Sequence, residues 1–131
     1  MQTKERDRAK EQAKAQLNSI VEMVRALTVD HNGGDRGKAE NIIHEDALSV
    51  QVRDSWYSPG GKGEPDQFEI LLCTGGPAVR IIGDLDRYQE PENPRLEYQD
   101  WGTPWTEYHE MPTEEETEAL LTYCRQFYFG S

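Results

Sequence analysis

The stretch Phe68–Leu85, FEILLCTGGPAVRIIGDL, decides how this chain folds. Two apolar runs flank Thr74-Gly75-Gly76-Pro77, where glycine supplies backbone angles that other residues avoid, so the stretch reads as a β-hairpin. In the first arm Phe68, Ile70 and Leu72 share one face, with Leu71 and Cys73 opposite. The unbroken apolar run Ile70–Cys73 indicates a strand covered on both faces over part of its length. Val79, Ile81 and Ile82 build the return arm, which ends at Gly83.

Toward the N-terminus, Leu48, Val50 and Val52 alternate with Ser49, Gln51 and Arg53, predicting a strand with one buried face. Trp56-Tyr57 and the loop Ser58–Asp66 connect it to the hairpin. Before it, Ala39–Asp46 carries Ile42 and Ile43 and predicts a short helical turn. His31–Lys38, with its glycines, reads as a connection. Residues 2–28 predict one helix, because Ala13, Leu17, Ile20, Val24 and Leu27 recur at helical spacing. Its first dozen residues lack large apolar side chains, so residues 1–16 are expected to project or fray, with 17–130 as the compact core.

Toward the C-terminus, Asp84–Pro94 reads as an acidic, proline-punctuated excursion. Leu96 and Tyr98 mark a further strand, Gly102-Thr103-Pro104 a turn, and Trp105 and Tyr108 another extended piece. Thr113 followed by Glu116 forms a capping box for a last helix. That helix carries Leu120, Leu121, Cys124, Phe127 and Tyr128 on one stripe, with Gly130 as its stop. The elements add up to a single α+β domain over residues 1–131. Its parts are an N-terminal helix, an antiparallel sheet of four to five strands in hairpin order, and a C-terminal helix packed on the sheet.

A chain of 131 residues has room for one modest core. Its mean hydropathy of −0.88 is polar for a folded protein, so part of the length must be solvated. The aromatic residues bring enough burial area to argue against disorder. The net charge of −11 is unevenly placed: Asp84–Glu118 holds twelve acids against only Arg87 and Arg95. Such a field repels phosphate backbones, so direct nucleic-acid binding is not expected, and it suits a basic protein partner. Plain solubility explains the same charge.

Cys73 and Cys124 are the two cysteines, and without a secretory leader they read as buried reduced thiols. No apolar run approaches the roughly 20 residues a membrane span needs, so a cytoplasmic protein without membrane association is expected. His31, His44 and His109 are scattered and match no metal-ligand spacing, so neither a metal nor a cofactor is expected. Cys73 ahead of its glycines could act as a nucleophile with His44 or His109 as base, but the spacing matches no nucleophile motif and a buried strand cysteine beside a tight turn explains the same residues. Gly60-Gly61-Lys62-Gly63 lacks the frame of a phosphate-binding loop. No catalytic residue is assigned. The candidate binding surface is acidic and aromatic: Asp84, Asp86, Glu90, Glu92, Glu97 and Asp100, with Trp56, Trp101 and Trp105.

The segments ILLCTGGPAVRI, LEYQDWGTPWTEY and LTYCRQFYFG resemble a group of small uncharacterised proteins encoded by bacteriophages and prophages. The likeness covers about Ala47–Gly130, with a weaker echo in QLNSIVEMVRAL, and this chain looks like a shortened version. The group carries no activity to transfer. The resemblance implies a bacterial host cytoplasm and, among small acidic phage proteins, inhibition of host machinery, including anti-CRISPR and anti-restriction roles. The expectation is a non-enzymatic acidic phage-type protein that binds a basic or nucleic-acid-binding host protein such as a defence complex. Two other readings stand beside it: a small Cys73 enzyme, and an assembly protein self-associating through the N-terminal helix. Monomer and homodimer are both open.

Overall fold

The computed structural model describes residues 2–29, 36–75, 77–100, 102–109, 113–127 and 129, with backbone alone at 2–7, 28, 29 and 36. Helices α1 (Gln2–Val29) and α2 (Arg36–Asp46) precede five strands: β1 (Ser49–Asp54), β2 (Pro65–Cys73), β3 (Ala78–Leu85), β4 (Pro91–Gln99) and β5 (Thr106–Glu107). Helix α3 (Glu114–Cys124) follows. The strands form one antiparallel meander in the order β1-β2-β3-β4-β5. The α+β class and the hairpin order are therefore as the periodicity predicts.

The alternation in the central strands shows where the core lies. Phe68, Ile70 and Leu72 on β2, Val79 and Ile81 on β3, and Leu96 and Tyr98 on β4 are buried. They meet Leu17, Ile20 and Leu27 of α1, Ile43 of α2, and Leu120, Tyr123 and Cys124 of α3 in one cluster. Helices α1 and α3 pack on each other and both rest on β4, with α1 reaching β3. Among the described residues the sheet thus has one face covered by helices and one that no helix covers.

Several local expectations are corrected. The packed part of α1 reaches back to Ala9, because Ala9 and Ala13 are both buried. An alanine lets a helix approach its neighbours closely, so the lack of large side chains before Leu17 does not release that turn. The predicted turn at 39–46 is a full helix in which Ala39 and Ile43, four apart, face inward and Ile42 faces out. At the other end α3 stops at Cys124, short of Phe127, as Gln126 N–H and Phe127 N–H bond back to Tyr123 and Cys124 carbonyls. Thr113 caps α3 as expected, its hydroxyl accepting from Glu116 N–H at 3.1 Å. Tyr128 and Gly130 lie outside the described residues, as do Gly76 and residues 31–35 of the connection.

The hairpin holds two irregularities that periodicity could not show. A bulge in β2 sets Leu71 opposite Arg80 but Cys73 opposite the buried Val79, so Cys73 turns to the helix-covered face instead of sharing Leu71's. Gly83 stands across from Phe68, and a side chain there would meet the Phe68 ring at 2.7 Å. Glycine therefore makes room for that ring, which packs on Phe129 at 5.0 Å between centroids. The larger correction is Asp84–Pro94. It is no excursion: β3 continues to Leu85 and β4 begins at Pro91, so these residues close a tight hairpin.

Candidate functional site

Antiparallel pairing brings the start of β2 beside the ends of β1 and β3 and the start of β4. Arg53 pairs with Gln67, Gln67 with Asp84, and Asp84 with Glu92, giving one row across the sheet. The β1–β2 loop and the β3–β4 turn therefore share one end of the sheet. Between them, residues 54–66 and 84–92 hold seven acids against Lys62 and Arg87.

The turn is built by Asp86. Its Oδ1 accepts from the N–H groups of Tyr88 at 2.8 Å and Glu90 at 3.0 Å, while Asp86 N–H donates to Glu90 O at 3.0 Å. Gln89 takes φ 64° and Asn93 φ 52°, the latter at a bulge between Ile82 and Asp84. This geometry leaves Tyr88 exposed, with the Arg87 guanidinium 4.9 Å from its ring. Asp84 Oδ2 accepts from Asn93 Nδ2 at 3.3 Å.

The β1–β2 loop is fixed at its root by Ser55 N–H donating to Glu64 O at 2.8 Å. Within it, Gly63 sits so close beneath Tyr57 that a side chain would strike the ring at 2.7 Å. Tyr57 is still 55% exposed, and Trp56 is entirely in solvent. An open cleft of about 640 Å³ lies here, lined by Arg53, Asp54, Trp56, Tyr57, Asp66 and Gln67.

Five of the nine candidate residues thus meet at this end: Asp84, Asp86, Glu90, Glu92 and Trp56. Asp86 serves the turn, so its carboxylate is occupied by backbone. Glu97 does not belong to the group. It lies on the bare face, where Arg80 bridges it and Glu69 at 2.7 Å each and stacks at 4.3 Å from the Trp105 ring. Glu97 and Trp105 are therefore parts of one half-buried cluster in which both are engaged by Arg80. Asp100 is buried at the opposite end, in a turn held by Thr103. Trp101 lies outside the described residues. Tyr88, Asp54, Glu64 and Asp66 join the site without having been singled out in the sequence. The register that gathers them is not fixed by alternation alone.

The alternative centre at Cys73 has little to work with. Burial pushes its thiol pKa up, against smaller opposing effects from Val79, Gln16 and Gln12. Its Sγ lies 3.8 Å from Pro77 O. His44 is engaged elsewhere, its Nε2 2.6 Å from Gln126 O and its ring against Phe127, while His109 sits beside Glu107 past β5. Cys124 is fully buried, which raises its pKa strongly. Among the described residues no three His, Cys, Asp or Glu side chains are grouped to hold a metal ion, and no helix is long and apolar enough to cross a membrane. No family model, curated protein or solved structure matches the chain.

Proposed function

We propose that the protein is a non-enzymatic binding protein that docks the acidic, aromatic end of its sheet onto a basic surface of a host protein. The observation that carries this reading is the convergence of Asp84, Glu90 and Glu92 with exposed Trp56, Tyr57 and Tyr88 at one end of the sheet. Carboxylates steer a basic partner and set its orientation, and large aromatic rings supply the contact area that makes such encounters last. A basic surface of this kind on a bacterial protein commonly serves nucleic acid, so occupying it would inhibit that protein. The phage-type context and a defence complex as target belong to the same proposal.

Capture from nuclease-treated bacterial extract at low salt tests it. The immobilised protein is expected to retain a basic, nucleic-acid-binding protein that added duplex DNA displaces. The variant Asp84→Lys/Glu90→Lys/Glu92→Lys is expected to retain none. Asp86 is kept in this variant because the turn depends on it. A partner that stays bound to the variant, or that ignores DNA, would count against the reading.

A further inference from the structure

The first strand was expected to bury Leu48, Val50 and Val52, and it does not. Val50 and Val52 stand opposite Ile70 and Phe68, so they point to the helix-covered face. The helices rest chiefly on β3 and β4, however, and leave the side chains of β1 largely uncovered. Leu48, Val50 and Val52 are 58%, 38% and 45% exposed. Among the described residues the sheet also ends on β1, so its outer row of backbone N–H and C=O groups faces no described strand. Native sheets blunt such edges with short strands, lysine, proline or inward-pointing charge. The far edge is blunted in this way, β5 being two residues long. Strand β1 has six residues, neither Lys nor Pro, and apolar side chains where an inward charge would stand.

We propose that β1 is the pairing edge of a homodimer, in which two copies join their β1 strands antiparallel into one ten-stranded sheet. A second copy is the occupant that the neutral, self-complementary edge fits. The chain carries −11, and a second copy is repelled by most of its surface. Strand β1 is neutral, with Arg53 and Asp54 as its charged residues. It is also self-complementary: a two-fold axis at Gln51 sets Val50 opposite the second copy's Val52, and Arg53 opposite its Ser49. No like charges meet in that ladder, and each copy covers two of the other's exposed valines. The acidic end and the dimer edge adjoin at Arg53 and Asp54, and they respond to salt in opposite senses. Screening weakens attraction to a basic partner but relieves repulsion between two acidic copies.

Sedimentation of the full chain, at about 10 and about 300 µM and at low and high salt, tests the pairing. A dimer is expected at the higher concentration, tightening as salt rises. Amide exchange over residues 49–54 is expected to slow with concentration. Val50→Lys/Val52→Lys should weaken association at least tenfold. The single Val52→Lys variant provides the same test if the double variant loses its native circular dichroism. A monomer under all conditions would overturn the proposal. So would a dimer unaffected by these valines, or one that depends on the N-terminal turns of α1.

Discussion

Asp84 and Glu92 stand directly opposite each other across the β3–β4 ladder, and neither forms an ion pair among the described residues. The sheet's other facing acids are treated differently. Glu97 faces Glu107 across β4 and β5, but Arg80 takes up Glu97 and His109 lies 3.3 Å from Glu107. Like charges directly opposite on neighbouring strands cost stability, so the uncompensated pair is a local sacrifice at the proposed binding end.

Replacing one member should therefore stabilise the fold while harming its use. Glu92→Lys is expected to raise unfolding stability by about 0.5 kcal/mol, with the gain shrinking as salt increases. Urea denaturation at two ionic strengths measures it. A loss of stability would mean that Glu92 serves a structural contact.

Trp56 separates binding from folding in the opposite way. It is fully exposed and touches no core residue, so Trp56→Ala should leave the thermal midpoint unchanged. As the aromatic anchor of the docking end it should cost about 2 kcal/mol of binding to the captured host protein. Calorimetry of the native chain and the variant reads the two quantities separately. A melting shift with unchanged affinity would remove Trp56 from the site.

The hairpin at Phe68–Leu85 was legible because its apolar alternation and its Gly-Gly-Pro turn speak directly to backbone geometry. The cap at Thr113 was legible for the same reason. The expectations that failed depend on neighbours distant in sequence. Val50 and Val52 have the pattern of a buried face, yet nothing in one strand reports whether a helix will reach it. Pro91 and Pro94 suggested an interrupted loop, but Pro91 begins β4 and Pro94 follows a bulge at positive-φ Asn93. Glu97 and Trp105 looked like free surface residues because Arg80, which binds one and stacks on the other, lies on another strand. The site's membership followed from register, which alternation alone does not fix.

The buried groups of α3 predict an alkaline weakness. Burial raises the pKa of Cys124, and burial with the hydrogen bond to Asp46 at 2.7 Å raises that of Tyr123. Both groups hold their proton more tightly folded than unfolded. Their stabilising contribution is complete below the unfolded values, near 9 for the thiol and 10 for the phenol, and falls progressively as pH rises above them. The urea midpoint should thus drop between about pH 8 and about pH 10.5, and Cys124→Ala should flatten part of that slope. A midpoint that holds steady across this range would contradict the burial of both groups.

The most direct measurement is the affinity of the purified protein for its captured host partner as salt rises from about 0.1 to about 0.5 M. The account predicts at least a tenfold loss for the native chain, and no measurable binding at low salt for the folded Asp84→Lys/Glu90→Lys/Glu92→Lys variant. Binding that is indifferent to salt and survives the three reversals would contradict it.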